Sequence, residues 1–167
     1  MVSTAQVVDS RRLVRRSFRA IEDPGSEDLP GLVGADFRYW EAVGPAADLR
    51  GPEAFGAAIE MLNRAFSELH YEVVALIGER DLVAVRTLMH GVHTGSMREL
   101  PPTGKPFAQS QSHWFRIVDG RIAEHWATRD DLGFLHQVGL APEPRVGVAV
   151  REDGRVAPPT EGVADRG

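Results

Sequence analysis

The first part of the chain places its apolar residues at helical spacing. Val14 and Phe18 fall on one face of a helix that we expect over residues 3–21. Gly51-Pro52 indicates the start of a second helix, because proline suits the first helical position and an apolar stripe follows it. Both helices would therefore present an apolar face to a core.

From residue 69 onward apolar and polar residues alternate, which is typical of strands with one buried face. Asp119-Gly120 separates two such runs and predicts a two-residue hairpin turn, because both residue types tolerate positive φ. Gly139 is expected to end a last short helix. The predicted strands cover residues 36–42, 69–77, 82–95, 107–118 and 121–128, and the last helix covers residues 131–138.

The order of these elements, helices first and then a run of antiparallel strands, predicts an α+β fold. We expect the N-terminal helices to pack on a strongly curved antiparallel or mixed sheet, which would form a cone-shaped barrel around a pocket. Residues 1–140 would make up this single domain. Residues 141–167 carry four prolines and four glycines, which predicts an extended or disordered tail.

Composition excludes several classes of function. The 19 basic and 24 acidic side chains give a formal net charge of -5, which argues against a nucleic-acid binder. Without cysteine there is no disulfide, thiolate nucleophile or cysteine metal site, and no metal-binding motif is recognisable. No apolar run is long enough to span a membrane and no signal peptide is recognisable, so we expect a cytoplasmic protein without a membrane partner.

The hairpin turn also predicts which side chains lie opposite one another. Counting outward from the two loop residues places His113 opposite Trp126. Because side chains alternate between the faces of a sheet, the predicted pairs share one face. That face would carry Gln109, Gln111, His113, Phe115, Ile117, Ile122, Glu124, Trp126, Thr128 and Asp130, and the opposite face would carry Trp114 and His125 among others.

The first of these faces combines apolar walls with a few polar groups, as small-molecule sites do. A carboxylate beside a tryptophan in such a pocket would have a raised pKa, which favours Asp130 as a general base. His113 could donate to a developing oxyanion, and Gln109 and Gln111 could orient a substrate carbonyl. Structural roles stay open: His113 could be a core histidine, either Asp130 or Asp131 caps the last helix, with Asp131 favoured, and a bulge would shift the register.

Several short motifs occur in order along the chain. They are Gly91-Val92-His93-Thr94-Gly95, Pro101-Pro102-Thr103-Gly104-Lys105, the run from Phe115 to Trp126, then Asp130 and Gln137-Val138-Gly139. Together they resemble the SnoaL-like polyketide cyclases, often called ester cyclases, of the nuclear-transport-factor-2-like superfamily. The resemblance covers about residues 11–139.

The resemblance implies a cone-shaped α+β fold, a cofactor-free pocket for a small-molecule substrate, and a homodimer or homotetramer formed through the sheet. In characterised cyclases of this family an acidic residue near the end of the last strand is the general base of an intramolecular aldol closure. Asp130 matches that residue, and His113 and Gln111 match the residues that assist it. The departures include Val92, where the family usually has threonine.

We therefore expect a cofactor-independent cyclase or isomerase acting on a polyketide-like carbonyl compound. Asp130 and His113 would be catalytic, and a larger set would bind the substrate. That set is Gln109, Gln111, Phe115, Trp126, Tyr39, Trp40 and His93. Two alternatives stay open: a hydrolase or hydratase that activates water in the same pocket, and a small-molecule-binding protein without turnover.

Overall fold

A computed structural model describes residues 4–40, 48–97 and 99–141 of the chain, with side chains from residue 9 onward. This part of the protein contains four helices and five strands. In chain order they are α1 (Thr4–Glu22), α2 (Leu29–Leu32), β1 (Val33–Tyr39), α3 (Gly51–Ala65), β2 (Phe66–Glu79), β3 (Leu82–His93), β4 (Pro106–Val118), β5 (Arg121–Arg129) and α4 (Asp131–Gln137).

The described strands form one mixed sheet in the order β1-β5-β4-β3-β2. Strands β2 to β5 pair antiparallel with their neighbours, whereas β1 pairs parallel to β5. The α+β class and the mixed sheet are confirmed. The sheet does not close into a barrel, because β1 and β2 are its two open edges.

Helix α1 packs its apolar stripe against the concave face of this sheet. Val14 and Phe18 are buried, and the Phe18 ring lies 4.9 Å from the Tyr71 ring on β2 and 5.9 Å from the Phe115 ring on β4. Each fully buried side chain of this size stabilises the fold by about 1.5–3 kcal/mol. The apolar period of the N-terminal segment therefore holds the helix over the face on which β4 and β5 place their polar residues.

The predicted element bounds agree with the structure at most ends and differ where a strand is irregular. Strand β2 begins at Phe66, earlier than predicted, because a left-handed residue, Glu68 (φ 55°), interrupts the alternation there. Strand β1 ends at Tyr39, so it lies earlier than the predicted residues 36–42. The predicted tail, apart from residue 141, lies outside the described residues.

The Asp119-Gly120 turn is confirmed, with φ of 49° and 73° at its two residues. The register beyond it is not as predicted. Ile117 lies opposite Ile122, but Arg116 lies opposite Glu124, so Ala123 is an extra residue that forms a β-bulge in β5.

The bulge moves every later residue of β5 by one position, which corrects the predicted faces. Trp126 lies opposite Trp114 on the outer face and not opposite His113, and His125 lies opposite Phe115 on the concave face. The physical reason is Glu124. Without the bulge its carboxylate would be buried beside Phe115, whereas on the outer face it accepts a 2.8 Å hydrogen bond from Arg116 Nε.

Candidate active site

A continuous chain of side-chain hydrogen bonds crosses the concave face of the sheet. His125 Nε2 lies 2.9 Å from His113 Nδ1, and His113 Nε2 lies 2.8 Å from Gln111 Oε1. Gln111 Nε2 donates to Gln109 Oε1 at 2.7 Å, and Gln109 Nε2 donates to Asp131 Oδ1 at 2.9 Å. We call these five residues the polar chain.

Three elements position the polar chain. Strand β4 contributes Gln109, Gln111 and His113, which share a face because they alternate along a strand and are all buried. Strand β5 contributes His125, which the bulge turns toward them. Helix α4 contributes Asp131 from its first turn. The backbone pairing of β4 with β5 and the start of α4 therefore fix the positions of the five residues of the polar chain.

Two aromatic rings enclose the imidazole of His125. The Phe115 ring lies 4.5 Å away at an interplanar angle of 4°, and the Tyr39 ring lies 5.0 Å away at 11°. The His113 ring meets it edge to edge, since the ring centroids are 5.2 Å apart while the two nitrogens are 2.9 Å apart. His125 is therefore held with its nitrogens at the open edges of a stack.

Both imidazoles of the chain are neutral at neutral pH. Burial, with a smaller contribution from the charge of Arg129, lowers the pKa of His113 to about 3. Burial, the neighbouring His113 and Arg129 lower the pKa of His125 well below its ordinary value. A neutral imidazole has one N–H and one lone pair, so each histidine can donate one hydrogen bond and accept one.

Arg129 brings a positive charge to the same face. It lies opposite Gln111 in the β4–β5 pairing, and its Nη1 donates to the Tyr39 hydroxyl at 2.8 Å. The phenol keeps its own O–H as a donor. Arg129 and Tyr39 thus form a second polar group beside His125, suited to a substrate oxygen on which negative charge develops.

Comparison with known proteins decides the family. A family model described as SnoaL-like polyketide cyclase matches residues 12–138. The chain belongs to the SnoaL-like polyketide cyclase family. The polar chain and the Arg129–Tyr39 group both lie inside the matched range, so they belong to the cyclase domain itself.

Named relatives agree with this assignment. The chain is 37% identical over 133 residues to the aklanonic acid methyl ester cyclase DnrD of Streptomyces peucetius, covering 76% of this chain and 88% of that one. It is 34% identical over 90 residues to the nogalonic acid methyl ester cyclase of Streptomyces nogalater, covering 53% of this chain and 67% of that one. The protein is an enzyme of the SnoaL-like cyclase type, and the family acts on small molecules.

Solved structures show the same fold. TsrD from Streptomyces laurentii superposes with a TM-score of 0.73 at 25% identity, covering 84% of this chain and all of that one (100%). Wild-type IdmH from Streptomyces antibioticus superposes with a TM-score of 0.65 at 28% identity, covering 78% of this chain and 98% of that one. The chain therefore shares the α+β fold of these two proteins.

Asp130 occupies a different place in the cyclase from the one predicted. Its Oδ1 accepts a 2.8 Å hydrogen bond from Gly133 N, so Asp130 caps helix α4, and the expectation that Asp131 is the cap is wrong. The bulge explains the exchange, because it places Asp130 beside Ser110 and brings Asp131 to Gln109. Asp130 is exposed, and its role as general base stays a prediction.

Of the four phenylalanine, tyrosine and tryptophan side chains predicted to contact the substrate, two lie at the polar chain and two lie elsewhere. Phe115 and Tyr39 enclose His125, as described above. Trp40 is 50% exposed, and its backbone N–H donates to the carbonyl oxygen of His125 on β5. Trp126 lies on the outer face with the Arg116 guanidinium 5.8 Å from its ring centroid.

His93 is buried in the core away from the polar chain. Its ring packs against Phe66 and Phe134, and its Nδ1 lies 3.3 Å from Thr103 Oγ1. Its backbone carbonyl accepts from Thr103 N and Gly104 N. These contacts hold the 101–105 turn against the sheet, while substrate binding by His93 stays a prediction.

Sequence reasoning missed Arg129, His125 and Asp131 as site residues. With a bulge at Ala123, the alternation of side chains along β5 and just beyond it places all three on the concave face. The signal for that skip was Glu124, an acidic residue predicted beside Phe115 on the apolar end of the face. A buried, unpaired carboxylate is costly enough to indicate a bulge.

Within the described ranges, no group of three or more His, Asp or Glu side chains is arranged to hold a metal ion. No described helix is long and apolar enough to cross a membrane.

Two clefts of about 220 and 270 Å³ lie on either side of the Asp119-Gly120 turn, and the polar chain lines neither of them. At the polar chain, Phe18 packs edge-on against His113 at 5.2 Å, so the partly exposed Tyr39–His125 end is the side from which a ligand could approach.

Proposed function

We propose that this cyclase closes a carbon ring in a polyketide methyl ester by a cofactor-independent intramolecular aldol reaction. The polar chain carries the proposal, since it brings neutral imidazoles and an arginine–tyrosine pair to one end of an apolar face. The relatives' names support the substrate class, because they describe cyclases of acid methyl esters.

The reaction needs a proton acceptor and an oxyanion stabiliser. A base takes the proton from a carbon flanked by two carbonyls, and the resulting enolate carbon attacks a ketone carbon of the same molecule. One carbon–carbon bond forms, the ketone becomes an alkoxide, and the alkoxide takes up a proton. No atom is gained or lost and no electron is transferred, so the balance requires neither a cofactor nor a co-reactant.

Arg129 and Tyr39 are the groups that we assign to the developing oxyanion. The arginine donates to the phenol oxygen, which polarises the phenol O–H toward a substrate oxygen. Removing one preorganised donor of this kind typically costs about 10²–10³ in kcat. Gln109 and Gln111 are engaged within the polar chain, so they act through the histidines and not directly on a substrate carbonyl.

A methyl ester suits this site better than a free acid. The walls around His125 are the aromatic rings of Phe115 and Tyr39, and an ionised carboxylate brought there would lose its hydration. An ester is neutral, and its carbonyl can also delocalise the enolate. The proton acceptor has two candidates: Asp130, predicted from the sequence, and His125.

Turnover of aklanonic acid methyl ester by the purified protein tests the proposal. We expect a cyclised product with the mass of the substrate and no ¹⁸O from labelled water. A product heavier by one water, with the label incorporated, would make the protein a hydratase, and labelled free acid released together with methanol would make it a hydrolase. A substrate recovered unchanged, although it raises the melting temperature, would make the protein a binding protein.

We also propose that two or four copies associate through the outer face of the sheet. Trp114 and Ile77 on that face are 50% and 65% exposed, and no described helix packs over them. Light scattering on the purified protein should give the mass of a dimer or tetramer, and a monomeric mass would contradict this.

A cytoplasmic location, and a single domain over residues 1–140, are proposals from the sequence.

A further inference from the structure

The carboxylate at one end gives the polar chain a direction. Asp131 can only accept hydrogen bonds when it is ionised, so the Gln109 atom that meets it is the amide nitrogen. The Gln109 oxygen therefore faces Gln111 and must receive an N–H from it. This orientation follows from the chemistry of the groups and not from the appearance of the amide.

A second acceptor supports the same orientation of Gln111. Its Nε2 also lies 3.4 Å from the sulfur of Met89, so both hydrogens of that amide group have acceptors. The Gln111 oxygen is then left for His113, whose Nε2 must carry a hydrogen. A neutral His113 protonated at Nε2 has its lone pair at Nδ1.

The last step determines the tautomer of His125. Because His113 Nδ1 is an acceptor, His125 must donate to it from Nε2–H across the 2.9 Å contact. The lone pair of His125 is therefore at Nδ1. None of the described residues donates a hydrogen bond to that atom, and His125 is partly exposed.

Resting on the proposed function, we infer that His125 Nδ1 takes the proton from the substrate carbon and that Asp131 is its positioning residue, acting through Gln109, Gln111 and His113. After carbon–carbon bond formation the same proton passes to the alkoxide, which returns His125 to its starting tautomer. While His125 carries the proton, the enolate beside Arg129 and Tyr39 offsets the new positive charge.

Histidine ¹⁵N chemical shifts test the direction of the chain without any substrate. In the wild-type protein we expect His125 and His113 each to be protonated at Nε2 and unprotonated at Nδ1. In Asp131→Asn the amide can donate as well as accept, so a second population with His125 protonated at Nδ1 should appear. Asp130→Asn is the matched control, because the Asp130 carboxylate is outside the polar chain. The histidine ¹⁵N shifts of this variant should match those of the wild-type protein.

Kinetics test the role of the lone pair. His125→Gln keeps an amide donor toward His113 and lacks the Nδ1 base, so kcat should fall by about 10²–10⁴ while KM changes only a few-fold. Asp131→Asn should lower kcat in proportion to the reversed population that the shifts report, which is about 2-fold if the two directions are equally populated, and Asp131→Glu should restore it.

The outcomes separate this inference from the proposed function. Wild-type shifts that show His125 protonated at Nδ1 would overturn the inference whether or not the protein turns over. If the wild-type protein cyclises the ester and folded His125→Gln retains kcat within a few-fold, the inference is wrong and the proposed function stands. If the wild-type protein cyclises no polyketide ester, the proposed function fails, while the shifts still report the direction of the chain.

Discussion

His125 Nε2 lies 2.9 Å from His113 Nδ1, and the two imidazole rings deviate by only 15° from a common plane. A contact of this length between two neutral rings requires that one donates and the other accepts. Asp131, four hydrogen bonds away along the polar chain, makes His125 the donor and His113 the acceptor. A surface carboxylate on α4 thus controls the protonation pattern of a histidine between two aromatic rings.

The pH dependence of stability should report the buried His113. Its folded-state pKa of about 3 lies below the ordinary histidine value of 6.5, so the unfolded chain binds the proton first as the pH falls. The stability from neutral His113 is complete above pH 6.5 and is lost between pH 6.5 and about 3. Arg129, His125 and Tyr71 are titratable or charged groups that face it.

Urea unfolding at several pH values measures this dependence. In that window the contribution of His113 should lower the free energy of unfolding by about 1.4 kcal/mol for each unit by which the pH falls. His113→Gln should be less stable at pH 7.5 and should show a slope that is shallower by about this amount. Equal slopes for the two proteins would mean that His113 is not buried in its neutral form.

Tyr39→Phe should reduce turnover while leaving the fold intact. The variant keeps the ring that stacks on His125 and removes the hydroxyl that accepts from Arg129. We expect kcat to fall by about 10²–10³, the typical cost of one oxyanion donor, with an unchanged melting temperature. A kcat within a few-fold of wild type would remove Tyr39 from the oxyanion group.

Asp130 substitutions separate its capping role from a catalytic one. Asp130→Ala removes the acceptor for Gly133 N and should lower the free energy of unfolding by about 1 kcal/mol. Asp130→Asn should cost less, because asparagine caps helices as well as aspartate does. With His125 as the base, Asp130→Asn should keep kcat within a few-fold, and a loss of 100-fold or more would make Asp130 the general base.

The free acid should be a poor substrate compared with its methyl ester. An ionised carboxylate at the aromatic walls around His125 is desolvated and would also oppose formation of an adjacent enolate. We expect kcat/KM for the free acid to be at least about 100-fold lower, equivalent to about 3 kcal/mol. Equal values for acid and ester would place the ester group outside this end of the site.

The helices, the strands and the tight turn could be predicted because their signals are local. Apolar spacing places α1 over the sheet, and Asp119-Gly120 has the backbone freedom that the turn requires. The register of β5 depends on contacts between distant segments. Arg116 on β4 binds Glu124 on β5 and Asp81 before β3, and these ion pairs hold Glu124 on the outer face.

The bulge at Ala123 therefore determines which β5 residues face the site. Gln109, Gln111, His113 and Phe115 were predicted on the correct face, because strand β4 is regular. On β5 the bulge places His125 on the concave face in place of Trp126, and just after β5 it brings Asp131 to Gln109 in place of Asp130. The parallel pairing of β1 with β5, which brings Tyr39 to His125, joins segments far apart in sequence and has no local signal.

Proton exchange on a substrate analogue that cannot cyclise tests the central claim most directly. A methyl ester with an acidic carbon between two carbonyls, but without the acceptor ketone, should exchange that proton for deuterium in heavy water in the presence of the wild-type protein. The exchange rate should fall by about 10²–10⁴ in His125→Gln and persist within a few-fold in Asp130→Asn. Exchange that persists in His125→Gln and disappears in Asp130→Asn would contradict proton removal by His125.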